Sequence, residues 1–288
     1  VSQLNALTVD VEDYFQVAAF ARDIAAKDWP TIPPRVEDNT RRILDILDEA
    51  GVSATFFALG WVAQRHPALI REIHRRKHEV ACHGLNHKLI YEQSPDEFRT
   101  ETLESKKLLE DLVSAPVVGY RAASYSITAE SYWAVDIIAE AGFRYDSSIV
   151  PVNHDLYGMP TAGAEPHRLV TERGASIVEF PPTTYSIFGR RIPVAGGGYF
   201  RLYPYELTRF FLNKINMVER RPFIFYLHPW EVDPDQPRIK TNLRSRFRHY
   251  TNLGKTEPRL RRLISDFEFD TVHNVIQRLG LWSSDGGH

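Results

Sequence analysis

Two histidines, His83 and His87, stand four residues apart in Cys-His-Gly-Leu-Asn-His, and three acids, Asp10, Glu12 and Asp13, crowd into Thr-Val-Asp-Val-Glu-Asp-Tyr-Phe. Two imidazoles and one carboxylate suit a borderline cation such as Zn²⁺ and leave it a position for substrate. A second carboxylate beside that cation can deprotonate an attacking water. The metalloprotease pattern H-E-x-x-H shares the histidine spacing, but Gly84 follows His83 here, so its general base is missing. Gly84 and Asn86 are poor helix formers, which puts the pair on a loop leaving a strand. Unrelated surface histidines and a solvated acidic edge are the plain alternatives. Placement after a strand, together with the separate acid cluster, favours a metal. Cys82 would be a soft ligand, yet strand alternation turns it away from His83 and makes it a small core residue.

His228 follows Phe225-Tyr226-Leu227 and precedes Pro229 and Trp230, a position suited to a general acid or to a satisfied core histidine. Arg121 after Gly119-Tyr120, and Asp146 in Tyr-Asp-Ser-Ser, fit either a site or plain ion pairs. P-loop, dinucleotide-binding, serine-elbow and Cys₄ zinc patterns are absent.

These residues must be positioned by alternating strands and helices. A strand is expected over Ala6 to Val11. A helix carries Ile43, Leu44, Leu47 and Ala50 at helical spacing and stops at Gly51. Ser53 to Leu59 reads as a strand closed by Gly60, and Pro67 opens a helix that leads to a strand over Glu79 to Cys82. Ser94, Pro95 and Glu97 form a capping box. A strand over Val117 to Tyr120 precedes a helix from Thr128 to Ala141 stopped by Gly142, and Pro222 to Leu227 is the last buried strand. Repeated βα units imply a parallel sheet, open or closed into a barrel. Asp10, His83, Arg121, Asp146 and His228 all fall where strands end, which is where parallel α/β folds build active sites.

Composition narrows the class. The 288 residues are 43% hydrophobic and 25% charged, which excludes a disordered, collagenous or coiled-coil chain. With 35 basic and 37 acidic residues, the net charge of −2 offers no general attraction to nucleic acid or anionic membrane. No apolar run reaches the ~20 residues of a membrane span, and no signal peptide is visible. A cytoplasmic location is therefore expected, with membrane-associated and periplasmic placements left open. Arg238, Lys240, Arg244, Arg246 and Arg248 make a basic stretch, read as a solvated loop in preference to a surface for an anionic polymer.

In this order the segments resemble the polysaccharide deacetylases of carbohydrate esterase family 4, the NodB-homology domain. TVDVEDYF, HGLNH, YRAASYSI, YDSS and FYLHPWEVDP are similar to its five motifs. DVEDYFQV, EFPPTT, GGGYF and LHPWEVDPDQPR resemble the branch found at exopolysaccharide loci with the exosortase system. The resemblance implies an α/β fold, a deformed (β/α)₇-type barrel of parallel strands in a single domain over 1–288, with a family-specific extension from about residue 229. It implies one divalent metal, Zn²⁺ foremost, and removal of acetyl groups from an N-acetylated polysaccharide or oligosaccharide. It leaves the oligomeric state open.

By the same resemblance, Asp10 matches the catalytic base, Arg121 the arginine that holds it, His228 the acid and Asp146 the carboxylate that orients that acid. His83 and His87 match the metal histidines. The backbone N–H near Ser124 matches the oxyanion donor, Leu227 the apolar lining of the acetyl pocket, and Trp230 joins the substrate-binding set. Val11 separates Asp10 from the next acids, so the third ligand is Glu12 or Asp13. Relatives with spaced acids favour Glu12, and the short Asp of the usual Asp-His-His set favours Asp13, which is preferred. Ala122 and Ala123 replace the usual prolines, and Gly84 the usual Ser or Thr, which touches groove shape more than chemistry. An allantoinase-like cyclic-amide hydrolase and a non-catalytic glycan-binding module are the alternatives.

Overall fold

The computed structural model of the chain describes residues 3–154, 157–171 and 173–282. In chain order it contains β1 (Asn5–Val11), α1 (Val36–Ala50), β2 (Thr55–Ala58), α2 (Gly60–Arg65), α3 (Pro67–Arg75), β3 (Glu79–Cys82) and α4 (Pro95–Val113). There follow β4 (Gly119–Tyr120), α5 (Ala134–Glu140), β5 (Tyr145–Asp146), β6 (His167–Val170), β7 (Ser176–Glu179), β8 (Thr184–Ile187) and β9 (Arg190–Pro193). The last part holds α6 (Gly197–Leu202), α7 (Tyr205–Met217), β10 (Ile224–Leu227), α8 (Leu243–Tyr250), α9 (Thr256–Asp266), β11 (Phe269–Asp270) and α10 (Val272–Arg278).

One sheet runs β10-β1-β2-β3-β4-β5-β7-β6, with β11 also paired to β1. It curls into a half-barrel of the (β/α)₇ type. Every pair from β10 to β7 is parallel, and β6 alone turns antiparallel against β7. The carboxyl ends of β1, β3, β4, β5, β7 and β10 therefore share one rim. Alternation along each strand makes two faces. Leu7, Val9, Val11, Phe56, Ala58, Cys82, Phe225 and Leu227 pack outward into the large core beneath the helices. Ala6, Phe57, Ala81, Tyr145, Val178 and Ile224 face inward, where Val272, Val275 and Ile276 of α10 close over them.

Local signals explain most boundaries. Gly51 ends α1 with φ of +66°, and Ser94 Oγ caps α4 by accepting from the Glu97 N–H at 3.2 Å. Cys82 is buried, as alternation requires. Several expectations need correction. Gly60 opens α2 instead of closing a strand, and only Gly119–Tyr120 of the expected 117–120 strand enters the ladder. The helix expected from Thr128 starts at Ala134, because the hydroxyl of Ser131 accepts from the Thr128 N–H and donates to the Ser126 carbonyl, holding a turn. The strand β11 follows the one expected to be last. The stretch read as a loop contains α8, whose first turn is capped by Asn242. Among the described residues no helix is long and apolar enough to cross a membrane.

Gly196 shows how tightly the rim is built. It sits at φ of +130°, ψ of −176°, a region essentially reserved for glycine, and bridges Tyr226 of β10. A Cβ there would lie 2.1 Å from the Tyr226 carbonyl oxygen. Gly196→Ala must therefore push β10 away or strain the turn, at a cost of about 1–3 kcal/mol. Thermal unfolding should show a midpoint lowered by several degrees; an unchanged midpoint contradicts this packing.

Candidate active site

The end of β1 sets the site. Asp10 is the last inward-facing residue of that strand, and its Oδ1 accepts from Arg121 Nη1 at 2.6 Å. Arg121 is 1% exposed, and it also reaches Thr8 Oγ1 at 2.9 Å, the Ser147 carbonyl at 3.3 Å and Ser147 Oγ at 3.0 Å. The other Asp10 oxygen, Oδ2, lies 3.9 Å from His228 Nε2. The residues read from the sequence as base and acid candidates thus face each other across the rim.

His83, Glu12 and His87 converge beside them. One ligand atom from each lies within 4.8 Å of the others. His83 Nδ1 meets the Arg121 carbonyl at 2.8 Å. A carbonyl only accepts, so Nδ1 carries the proton and Nε2 keeps its lone pair, the arrangement that orients ligating histidines. Glu12 Oε2 is buried with no hydrogen-bond partner, although His87 Nε2 is 2.8 Å away. An orphaned carboxylate oxygen between imidazole nitrogens fits a cation that would take all three. Burial alone would raise the Glu12 pKa, but His87 foremost, then His228 and His83, hold it down to about 2. Burial lowers the pKa of His83 and so favours the neutral form that a ligand needs.

Asp13, the preferred third ligand, is not part of this trio. Its Oδ2 accepts from the backbone N–H groups of Arg35 at 2.8 Å and Val36 at 3.1 Å, and its Oδ1 from that of Tyr14 at 2.9 Å. It caps the start of α1 from a distance, where no local side chain does so. The chain leaves β1 at Val11 and turns there, with the Glu12 N–H donating to the Asp10 carbonyl at 3.0 Å, so the two acids part beyond the strand.

Asp146 is displaced from its expected role as well. Its Oδ1 accepts from Ser148 Oγ at 2.6 Å, and that hydroxyl in turn accepts from the Ala122 N–H at 2.8 Å. Burial raises the pKa of Asp146 and, more strongly, of Glu179, which faces it across β5 and β7. Asp146 therefore shapes the 121–125 loop, in which Ser124 and Tyr125 adopt left-handed φ of +52° and +56°.

The residue facing His228 Nδ1 is Glu231, whose Oε1 is 2.7 Å away and also accepts from the His228 N–H at 3.1 Å. Its Oε2 accepts from Arg201 Nε at 2.6 Å. Sequence reasoning missed both residues, although His-Pro-Trp-Glu has the form of a capping box with proline at the first helical position. Burial opposes a charge on His228, but Glu231 and then Glu12 outweigh it and lift the pKa to about 9. At neutral pH His228 thus carries the proton an acid must give.

Two substrate-side assignments also change. Leu227 is on the outward face in the helix-packed core, so it lines no pocket, and Tyr226, two residues before His228, shares the inner face. Trp230 is 5% exposed, stacked on His228 and His249 with ring centroids 5.1 and 4.0 Å away. Its indole N–H donates to Glu12 Oε1 at 3.4 Å. It supports the acid and the ligand from below and leaves little surface for a sugar.

Residues 28–145 match the family model described as polysaccharide deacetylase, and residues 147–277 match a domain of unknown function, DUF3473. A peptidoglycan-N-acetylglucosamine deacetylase of Bacillus cereus is 32% identical over 79 residues, 27% of this chain and 37% of that protein. A chitooligosaccharide deacetylase of a Bradyrhizobium species is 30% identical over 100 residues, 35% of this chain and 43% of that protein. The chain thus spans less than half the length of these two relatives. A polysaccharide deacetylase homologue crystallised from Mycobacterium smegmatis shares the fold with a TM-score of 0.64 at 23% identity, over 100% of this chain and 94% of that one.

The two acids separate in one experiment. Glu12→Gln should lower bound zinc sharply with little change in the apo melting temperature. Asp13→Asn should keep the zinc and lose about 1–3 kcal/mol of stability, the cost of unsatisfied buried N–H groups. Metal analysis with thermal melts checks both, and zinc loss confined to Asp13→Asn would reverse the assignment.

Proposed function

We propose that this chain, whose residues 28–145 match the polysaccharide deacetylase model, hydrolyses the N-acetyl amide of amino sugars in a bacterial surface or exopolysaccharide and releases acetate. The observation that carries the reading is the approach of Asp10 Oδ2 and His228 Nε2 to 3.9 Å beside the Glu12, His83 and His87 trio. The named deacetylase relatives support the reaction class. The exopolysaccharide substrate rests on the similarity of DVEDYFQV, GGGYF and LHPWEVDPDQPR to that branch.

Glu12, His83 and His87 would hold one divalent cation, and their one-oxygen, two-nitrogen donor set suits Zn²⁺. Such a cation would supply Lewis acidity to the acetyl carbonyl and to the attacking water. Asp10, fixed through Oδ1 by Arg121, takes the proton of that water on Oδ2 as oxygen bonds to carbon. The turn at Ser124 offers a backbone N–H to the developing oxyanion, a contribution of about 3–4 kcal/mol for one well-placed donor. His228 passes its proton from Nε2 to the amide nitrogen as the carbon–nitrogen bond breaks. Acetate and a free amine result. An amide needs this acid, because an unprotonated amine anion leaves very poorly.

Acetate release from N-acetylglucosamine oligomers and from bacterial exopolysaccharide tests the reading. Zinc-loaded protein should release acetate, and Asp10→Asn should lower the rate by about 10²- to 10⁴-fold with metal retained. Undiminished release by Asp10→Asn, or none from any N-acetylated glycan by the loaded wild type, contradicts it.

A further inference from the structure

We infer that Glu231, braced by Arg201, is the positioning residue for His228, in the role the family resemblance gives to Asp146. The inference rests on the proposed deacetylation for its kinetic consequence and on geometry alone for the contact. Glu231 comes from the later part of the chain, three residues beyond the histidine it holds. One of its oxygens takes both the backbone N–H and the ring Nδ1 of His228, at 3.1 and 2.7 Å. A lone carboxylate could swing about its side-chain torsions, but this one cannot. Arg201 Nε binds the second oxygen at 2.6 Å, while Arg201 Nη1 is itself tied to the carbonyls of His249 and Thr251 at 2.7 and 3.0 Å. Both partners are essentially buried, with Glu231 at 1% and Arg201 at 2% exposure.

The consequence is directional. A carboxylate at Nδ1 keeps a proton on that nitrogen and fixes the ring plane, so Nε2 faces Asp10 and the leaving amine. The stack on Trp230 restrains the same plane from one side. A helix cap would explain the backbone contact of Glu231 but not the ring contact or the arginine behind it. Asp146 is engaged elsewhere, its Oδ1 accepting from Ser148 Oγ, while the ring Nδ1 of His228 is already taken by Glu231.

The test compares Glu231→Gln, Arg201→Lys and Asp146→Asn, each zinc-loaded, on an N-acetyl amide and on an activated aryl acetate ester. Glu231→Gln keeps an acceptor for the cap and so preserves the fold. The expected result is a loss of amide turnover of ~10–100-fold for Glu231→Gln, the scale on which removing the partner of a ligating histidine is felt. The ester rate should fall little, since its leaving group needs little acid help. Arg201→Lys should show the same selective loss to a smaller degree, and Asp146→Asn should leave the amide-to-ester ratio at the wild-type value. Equal losses on amide and ester for Glu231→Gln, or a selective amide loss in Asp146→Asn alone, overturn the inference. A readout free of activity uses the downfield imidazole N–H proton resonance assigned by its disappearance in His228→Asn. It should vanish in Glu231→Ala and persist in Asp146→Asn; survival in Glu231→Ala overturns the contact. If the wild type cleaves no N-acetyl amide, the proposed reaction fails, and this resonance still decides the role of Glu231.

Discussion

Everything at the rim depends on one buried guanidinium. Arg121 lies inside the curl of the sheet against the Phe57 ring, with its charge centre 4.0 Å from the ring centroid. Burying that charge is tolerable only because Asp10, Thr8 and Ser147 surround it with acceptors. Removing one partner of such a pair leaves an uncompensated charge, typically at a cost of about 3–5 kcal/mol. The same residue works twice. Its side chain fixes the carboxylate read as the base, and its carbonyl fixes the proton on Nδ1 of His83. Base and ligand are thereby set by one backbone position at the end of β4.

The sheet makes the site a joint product of both matched segments. β2 to β4 lie in residues 28–145, β5 straddles the end of that segment, β7 and β10 lie in residues 147–277, and β1 precedes both and pairs with β2 and β10. His83, His87 and Arg121 come from the first segment. His228, Glu231 and Arg201 come from the second. Neither segment carries a complete site, and Asp10 and Glu12 join them through β1. The supports behind His228 also come from the second segment, since Trp230 stacks between it and His249.

Much of this was legible in the sequence. The βα rhythm gave the parallel sheet, and apolar runs ending in polar residues marked the rim, because alternation and burial are local properties of a strand. Tertiary substitution was the part that could not be read directly. Asp13 and Glu12 are one residue apart, and motif likeness favoured the shorter acid. Both acids lie beyond the end of β1, in a turn where strand alternation does not decide between them. Alternation along β10 would have moved the pocket-lining role from Leu227 to Tyr226. The role assigned to Asp146 went elsewhere for a different reason: Glu231, three residues beyond His228, takes the ring nitrogen, while Asp146 accepts from Ser148. The β11 strand was missed because two residues carry too little pattern.

Anomalous diffraction at the zinc edge from crystals of the zinc-loaded protein tests the central claim most directly. The account predicts one strong peak at about 2.0–2.2 Å from Glu12, His83 Nε2 and His87 Nε2, with Asp13 still bound to the backbone at the start of α1. A peak liganded by Asp13, or zinc bound only away from these two histidines, would contradict it.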